Sequence, residues 1–273
     1  GGELKLKDGV SLDHETDSSV AVEVTTTDAS GATYSETFTI AVGDVNEGPS
    51  DISLSNASVD ENAAGAVVGS LSTTDVDAGD SHTYAVDDAR FEVVGGDLKL
   101  KDGVSLDHES ESSVAVEVTT TDASGATYSE TFTIAVGDVN EGPSDISLSN
   151  ASVDENAAGA VVGSLSTTDV DDGDTHTYAV DDARFEVVGG DLKLKDGVSL
   201  DYNTDPSVDV TVTTTDSAGA TYQETFSISV GDTNDAPTDI SLDNLSVDEN
   251  SAGAVVGSLS TTDVDAGDSH TYA

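Results

Sequence analysis

Apolar and polar residues alternate over long parts of the chain, and this period of two predicts β-strands with one buried face. The segment 114–118 alternates valine with small or polar residues, and the segment 128–136 alternates in the same way. Tyr128 and Phe132 fall on the apolar side of the second segment. We therefore expect them to join a core rather than form a platform for a ligand.

Five shorter apolar runs bring the count to about seven strands per module of roughly 100 residues. The runs are Ile52–Leu54, Val67–Leu71, Tyr84–Val86, Phe91–Val94 and Leu98–Leu100. Asp, Gly, Asn and Ser separate them, as is typical of turns, and no segment shows a convincing helical period. The pattern predicts an all-β fold made of seven-stranded, immunoglobulin-like Greek-key β-sandwiches.

One module recurs along the chain without insertion or deletion. The sequence that starts GDVNEGPSDISL at Gly43 returns at Gly137, 94 residues later, and a related sequence starts at Gly231. Residues 1–94 and 95–188 differ at only five positions, namely 3, 16, 17, 78 and 81. Such a fixed period is the signature of a tandem array of one structural unit.

Prolines mark the expected boundaries, because Pro49, Pro143 and Pro237 each end a linker of the form D-x-N-(E/D)-(G/A)-P. The predicted segments are the back part of a module at 1–48, complete modules at 49–142 and 143–236, and the front part of another at 237–273. An odd number of antiparallel strands places the exit of a module opposite its entry. Successive modules are therefore expected to form an extended rod.

Neither partial module carries a complete core, so neither should be stable alone. We expect either that the sequence is a window on a longer chain, in line with the absence of Met, or that it is a subunit that polymerises. Joined head to tail, residues 1–48 and 237–273 supply 85 of the 94 positions of a module.

The chain is strongly acidic, since 55 Asp and Glu residues against 8 Lys and Arg residues give a formal net charge of −47. This charge argues against binding to nucleic acids and to anionic membranes, which both require basic side chains. No apolar run approaches the roughly 20 residues of a membrane-spanning helix. The sequence contains no Cys, which excludes disulfides, thiol nucleophiles and zinc–thiolate sites.

Acidic residues gather in short motifs at the expected strand ends. They include V-D-E-N with Glu61, T-D-V-D with Asp75 and Asp77, and L-D-H-E with Asp107 and Glu109. A T-T-D motif and the D-V-N-E linker complete the set. Crowded carboxylates repel one another unless a cation is present. Carboxylates, Asn side chains and carbonyls are the ligands of calcium, so the set predicts calcium binding.

Each motif alone is weak evidence, because an Asp in a turn usually caps the backbone. The D-V-D-D-G-D stretch from Asp169 resembles the start of an EF-hand loop, but its twelfth position is Val180, where an EF-hand has Glu. The combination of motifs, in fixed order and at a period of 94 residues, is specific.

The histidines do not require a catalytic interpretation. We predict that His14 and His108, which stand between expected ligands, are neutral and exposed, and that His82, His176 and His270 lie on the surface. The sequence contains no G-x-S-x-G nucleophile motif, and a catalytic site duplicated in every module would be unusual. The chain is therefore not expected to be an enzyme.

The order xEx, DxD, LDxE, (A/T)xD and a closing DxNDxP resembles the cadherin repeat, and specifically the cadherin-like domains of large bacterial surface proteins. The resemblance covers the whole chain. It implies that calcium ions lie at the junctions between consecutive modules, about three per junction. Both modules and the linker would supply the ligands.

Matching these motifs residue by residue gives the ligands that the resemblance implies. Near Pro49 they are Asp13, Glu15, Asp44, Asn46, Glu47, Asp75, Asp77 and Asp122. Near Pro143 they are Glu61, Asp107, Glu109, Asp138, Asn140, Glu141, Asp169, Asp171 and Asp216. Near Pro237 they are Glu155, Asp201, Asp232, Asn234, Asp235, Asp263 and Asp265.

Two features depart from the family pattern. Glu47 and Glu141 replace the Asp that usually stands in the linker, whereas Asp235 retains it. At the third junction L-D-H-E becomes L-D-Y-N, so that Asn203 offers a neutral amide in place of a bidentate carboxylate. Weaker or fewer calcium ions are therefore expected near Pro237.

Calcium does not account for all of the acidity. About three ions at each of three junctions would offset roughly 18 negative charges. About −29 would then remain, which suits a saline medium and keeps neighbouring chains from associating nonspecifically.

The resemblance implies a calcium-rigidified repeat region of a secreted or cell-surface adhesin, or of an extracellular filament, in a bacterium from a marine or other saline setting. The expected partners are neighbouring repeats or copies of the chain head to tail, together with a cell-surface or carbohydrate ligand. Two alternatives stay open. The modules could bind carbohydrate or each other during cell aggregation and biofilm formation, or they could be an accessory region of a polysaccharide-degrading enzyme.

Overall fold

The computed structural model describes residues 2–273, which form β-strands, turns and loops without a helix. The chain divides into two compact units, one up to Val139 and one from Asn140 onward. Across the described residues, no helix has the length and apolarity required to cross a lipid bilayer.

Ten strands lie in the described part of the first unit. They are β1 (Ser19–Thr27), β2 (Thr33–Ala41), β3 (Asp51–Leu54), β4 (Ser58–Asp60), β5 (Val67–Thr74), β6 (Thr83–Val86), β7 (Phe91–Val94), β8 (Asp97–Leu100), β9 (Ser113–Thr121) and β10 (Thr127–Gly137). Strands β1 and β2 form an antiparallel pair with Val22 opposite Phe38.

Strands β3 to β10 form a complete β-sandwich of two four-stranded sheets, ordered β3-β5-β8-β7 and β4-β10-β9-β6. Neighbouring strands are antiparallel except β4 and β10, which run parallel with Ala135 opposite Ser58. The alternation along β9 places Val114, Val116 and Val118 in the core between the sheets, where they are at most 2% exposed.

The all-β sandwich prediction is confirmed, and the structure adds an eighth strand to the seven expected in a module. The extra strand is β4, whose three residues are too few to show an alternating pattern. Asn56 holds the chain where it leaves one sheet for the other, because its side-chain amide donates to the carbonyl oxygens of Ser58 and Val68, 2.8 and 2.7 Å away.

The second unit repeats this architecture with its own core. Its strands are β11 (Asp145–Leu148), β12 (Ser152–Asp154), β13 (Val161–Thr168), β14 (Thr177–Val180), β15 (Phe185–Val188), β16 (Asp191–Leu194), β17 (Ser207–Thr215), β18 (Thr221–Gly231), β19 (Asp239–Leu242) and β20 (Leu259–Thr262). The sheets are β11-β13-β16-β15 and β12-β18-β17-β14, and β19 pairs with β20 alone. Phe185, Leu192, Leu194 and Ile228 lie at the centre of the core.

Candidate metal centres

Carboxylates of the first unit meet around the linker that precedes Pro49. Oxygen atoms of Glu15, Glu47 and Asp77 lie within 4.8 Å of one another. These residues come from the loop before β1, the linker and the loop after β5. The backbone N–H of Glu47 donates to Asp77 Oδ2 at 2.9 Å, and this hydrogen bond ties the linker to the loop.

The other oxygen of Asp77, Oδ1, is buried and has no hydrogen-bond partner among the described residues. Asp171 and Asp265 occupy the equivalent positions in the second unit, and their Oδ1 atoms are enclosed in the same way. Their Oδ2 atoms accept hydrogen bonds from the linker N–H groups of Glu141 and Asp235, at 2.8 and 2.6 Å. A buried carboxylate oxygen without a donor is costly, so all three positions fit a bound cation.

A histidine holds the first aspartate of each T-D-V-D motif. The Nε2···Oδ2 distances are 2.9 Å for His82–Asp75, 2.8 Å for His176–Asp169 and 2.8 Å for His270–Asp263. The hydrogen bond from His82 lowers the pKa of Asp75. The prediction of a surface position is wrong for these rings, because each reaches back over the acidic loop and His82 is only 12% exposed.

The linker asparagine contacts the aspartate of the T-T-D motif. Asn46 Nδ2 donates to Asp122 Oδ2 at 2.9 Å, while the N–H groups of Gly125 and Ala126 donate to Asp122 Oδ1. The Asn46 hydrogen bond is the largest of the effects that lower the pKa of Asp122 to about 2. In the second unit, Asn140 and Asp216 form the same contact at 3.0 Å. These aspartates therefore stay ionised and fix the linker.

The glutamate of the V-D-E-N motif is buried and held by backbone donors. Glu61 Oε2 accepts the N–H of His108 at 2.7 Å, and Oε1 accepts the N–H of Val139 at 2.8 Å. These two hydrogen bonds lower the pKa of Glu61. Its carboxylate also lies within 4.8 Å of oxygens of Asp107 and Glu109. Each oxygen of Glu61 keeps a second lone pair, so the group fits cation binding as well.

Glu155 repeats this arrangement in the second unit, where the N–H groups of Tyr202 and Thr233 donate to its two oxygens at 2.7 and 2.8 Å. The adjacent Asn156 has a left-handed backbone with φ of 58°, a conformation that Asn tolerates better than most residues. The turn directs the buried carboxylate towards these backbone donors.

The first aspartate of each L-D-x-x motif caps its own loop. Asp13 accepts hydrogen bonds from Thr16, Asp107 from Ser110, and Asp201 from Thr204. The turn-capping interpretation therefore applies to these three residues, alongside any ligand role. Their remaining lone pairs are available to a cation.

His14 and His108 are half-buried, so the prediction that they are exposed is wrong. Each ring Nδ1 lies 2.8 Å from a backbone carbonyl oxygen, that of Val42 for His14 and that of Val136 for His108. These hydrogen bonds are the main reason that the pKa of each ring is raised. The ring nitrogens are thus directed at the carboxyl-terminal ends of β2 and β10, which follow the histidines in the chain.

Two carboxyl groups show the effect of crowding on the linkers. Burial, and then the charges of Glu15 and Asp77, raise the pKa of Glu47. Burial, and then the charge of Asp265, raise the pKa of Asp232. Like charges that cannot be separated disfavour ionisation. A bound divalent cation would remove this conflict.

The residues predicted for the Pro143 junction belong to both units. Glu61, Asp107, Glu109 and Asp138 lie in the first unit, and Asn140, Glu141, Asp169, Asp171 and Asp216 lie in the second. Within the first unit, ligand atoms of His108, Glu109 and Asp138 are within 4.8 Å of one another. Within the second, the linker contacts of Asn140 and Glu141 match those of Asn46 and Glu47.

Sequence reasoning missed one aspartate in each T-D-V-D-x-G-D stretch. Asp80 Oδ2 and Asp174 Oδ2 are buried and lack a hydrogen-bond partner among the described residues. Oxygens of Asp169 and Asp174 and a ring nitrogen of His176 lie within 4.8 Å of one another. The repetition of this aspartate in all three copies of the stretch was the available signal.

No protein-family model matches the sequence. The structure is similar to that of the extracellular domain of protocadherin γB4, with a TM-score of 0.68, 21% sequence identity and coverage of 94% of this chain. It is also similar to repeats EC22–24 of mouse cadherin-23, with a TM-score of 0.59, 20% identity and coverage of 81% of this chain and 77% of that one. The fold is that of tandem cadherin extracellular repeats.

The cadherin-like chain spans 45% of the protocadherin γB4 extracellular domain and 59% of the protocadherin γB3 fragment EC1–4. At this level of identity the similarity establishes the fold of the cadherin-like modules. It confirms the cadherin resemblance inferred from the acidic motifs as far as architecture is concerned.

Proposed function

We propose that this chain is a calcium-binding repeat region of an extracellular protein, in which calcium joins consecutive cadherin-like modules into a stiff, non-catalytic spacer for adhesion or for a filament. The enclosed Oδ1 atoms of Asp77, Asp171 and Asp265 carry the proposal. All three recur at the same place in the module, beside a linker that donates to the other oxygen of the same carboxylate.

The residues around Pro49 would hold the ions on this proposal. They are Asp13, Glu15, Asp44, Asn46, Glu47, Asp75, Asp77 and Asp122. Bound calcium would supply the positive charge that these oxygens lack, and it prefers all-oxygen sites. The protein's part is to position the carboxylates, and the Glu47–Asp77 and Asn46–Asp122 hydrogen bonds already hold linker and loops together.

Self-association belongs to the same proposal. Protocadherin γB7 EC3–6, whose structure is described as a cis-dimer, is similar to this chain with a TM-score of 0.66 and 21% identity. The net charge of −47 suits an extracellular, saline medium, where salt screens repulsion between chains.

Substitution of Asp77 tests the calcium proposal. Asp77→Asn keeps the size of the side chain but removes the charge at the enclosed oxygen, so calcium affinity at the Pro49 site should fall by about tenfold or more. The total number of ions bound should also decrease. Calcium titration of the full chain by isothermal calorimetry measures both quantities.

Glu117→Gln is the matched control, because it removes the same charge from an exposed strand position away from the clusters. It should leave the titration unchanged. Equal calcium affinity and stoichiometry for Asp77→Asn and the original chain would contradict the proposal.

A further inference from the structure

One histidine and two aspartates come together in the loop between β13 and β14. Oxygens of Asp169 and Asp174 and a ring nitrogen of His176 lie within 4.8 Å of one another. Two ligands that share one ion lie at most about 4.4 Å apart, which is twice a metal–ligand distance of about 2.2 Å. The three side chains are therefore close to the spacing of ligands on a single ion.

Burial distinguishes this group from the exposed carboxylates of the chain. The side chains of Asp169 and His176 are only 5% and 13% exposed. Asp174 Oδ1 accepts a hydrogen bond from Ser217 Oγ at 2.7 Å, but Asp174 Oδ2 is enclosed and has no partner among the described residues. A buried carboxylate oxygen without a partner is costly. The enclosed oxygen therefore requires a donor or a cation that the described residues do not supply.

One interpretation of His176 is that it only holds Asp169, since its Nε2 lies 2.8 Å from Asp169 Oδ2. That hydrogen bond satisfies Asp169 and leaves the enclosed oxygen of Asp174 without a partner. An ion among the three side chains would satisfy both carboxylates, with His176 binding it through Nε2. A nitrogen and an oxygen at right angles on one ion, each about 2.1 Å from it, are about 3.0 Å apart. Binding thus requires only a small widening of the contact.

The first complete module has the same arrangement. His82 Nε2 lies 2.9 Å from Asp75 Oδ2, and the Oδ2 atom of Asp80 is enclosed without a partner among the described residues. One position differs, because Ala123 stands where the second unit has Ser217. The arrangement thus recurs, and the second unit has an additional hydroxyl that holds its aspartate.

We propose that this histidine–aspartate group binds a divalent transition-metal ion of the zinc class in each complete module. The ligands are Asp75, Asp80 and His82 in one module and Asp169, Asp174 and His176 in the other. An imidazole nitrogen with two carboxylates suits zinc and related ions, whereas calcium takes oxygen ligands. Three protein ligands leave a coordination position for water.

The inference goes beyond the proposed calcium sites. Asp169 belongs to both ligand sets, but Asp174 and His176 belong only to the zinc-class site. The calcium proposal depends instead on the enclosed Oδ1 atom of Asp171. The two proposals therefore rest on different atoms and can fail separately.

Nitrogen NMR of the histidine side chains tests the inference, because the chemical shift of Nε2 differs between a hydrogen-bonded and a metal-bound nitrogen. The full chain, labelled at histidine nitrogen, is titrated with zinc chloride in calcium-free buffer at neutral pH. Nε2 of His82 and His176 should move to metal-bound values, and calcium chloride alone should not produce this change. Resonances that keep their hydrogen-bonded values in excess zinc would overturn the inference.

The near-identity of the modules provides a matched control within one chain. Asp174→Asn keeps the size of the side chain and removes its charge, so the zinc affinity reported by His176 should fall by at least about tenfold. His82 in the same sample should respond as before, and Asp80→Asn should have the converse effect. An unchanged response of His176 in Asp174→Asn, or an equal loss at both histidines, would contradict the assignment of ligands.

Glu117→Gln removes a charge from an exposed strand position outside the loop, and it should leave both histidine responses unchanged. Calcium titration of the same samples by calorimetry separates the two proposals. A chain that binds calcium but shows no zinc response would retain the proposed function and refute only the zinc-class site.

Discussion

Carboxylate side chains have different roles in this chain according to their neighbours. Donors surround Asp122, and the Asn46 hydrogen bond in particular lowers its pKa to about 2. Burial and like charges instead raise the pKa of Glu47. Both lie near the Pro49 linker. Neighbouring donors and charges thus decide which carboxylates hold the loops in place and which would be stabilised by a cation.

The junction near Pro237 offers a direct test of how much one carboxylate contributes to calcium affinity. Asn203 occupies the position that Glu109 has in the first complete module, where Glu109 lies beside Glu61 and Asp107. Asn203→Glu should raise calcium affinity near Pro237 by about tenfold, because a charged bidentate ligand replaces a neutral amide. Calcium titration of the full chain measures the change. Tyr202→His, the other difference in the motif, should have little effect, and equal affinity for Asn203→Glu and the original chain would refute the prediction.

Asp88 provides a pH-dependent contribution to stability away from the metal ligands. Its carboxylate accepts hydrogen bonds from Arg90 Nε and Nη2, with the shortest at 2.7 Å, and these bonds lower its pKa. A carboxyl group whose pKa is lower in the folded state stabilises the fold above its unfolded pKa. This contribution is lost as the pH falls through the folded value.

Asp88→Asn should therefore lower the free energy of unfolding at pH 7 by about 1 kcal/mol, a modest figure because Arg90 is more than a third exposed. The difference between variant and original chain should disappear well below the ordinary pKa of Asp, about 3.9. Urea unfolding across this pH range measures it. Glu117→Gln should show no such pH-dependent difference, and a constant gap for Asp88→Asn would contradict the interpretation.

The length of the alternating apolar pattern determined which strands could be predicted from the sequence. β9 and β10 are nine and eleven residues long, and their alternation makes them plain. β4 has only three residues, and it forms because it pairs with the neighbouring strand β10. The candidate metal sites could likewise be predicted only in part. Motif order predicted which carboxylates gather near Pro49, but the inward turn of His82 and the enclosed Asp80 depend on the folding of the loop between β5 and β6.

The bulge in β5 explains why a glycine stands at position 69. The register shifts between Val67 and Gly69, and a Cβ on Gly69 would lie 2.8 Å from the backbone N and O of Asn56. Such a contact is too short for any side chain. Glycine therefore lets β5 pass closely by the point where the chain changes sheets.

Gly69→Ala should destabilise the first complete module by about 1–3 kcal/mol, because the backbone at Asn56 must move. Denaturant unfolding of the full chain should then show this module unfolding before its counterpart in the second unit. Val67→Ala alters the same bulge at an exposed side chain and should stay within about 0.5 kcal/mol. An unchanged unfolding midpoint for Gly69→Ala would show that the strands can separate at no cost.

Charge dominates the behaviour of the whole chain, which carries 55 acidic residues and 8 Lys and Arg residues. The cores of the two complete modules consist of buried apolar side chains. The linkers, in contrast, concentrate carboxylates whose mutual repulsion a bound cation would offset. Calcium should accordingly control the mobility between modules more than the stability within them.

Small-angle X-ray scattering should detect the effect of calcium on the mobility between modules. Removal of calcium with EDTA should change the largest dimension of the particle and broaden its distribution, because repelling linkers no longer hold consecutive modules in one orientation. Circular dichroism on the same samples should retain the β-sheet signal, and an identical scattering curve with and without calcium would contradict stiffening.

The parallel contact between β4 and β10 has a mechanical consequence. Its backbone hydrogen bonds run from Glu61 N to Gly137 O at 3.0 Å and from Ala135 N to Ala57 O at 2.9 Å. β4 comes early in the module and β10 comes last, so tension between the two ends of a module would pull these strands past each other lengthwise. The bonds would then be loaded together in shear instead of being peeled apart singly. A module stretched between its two ends would therefore resist unfolding most strongly along that direction.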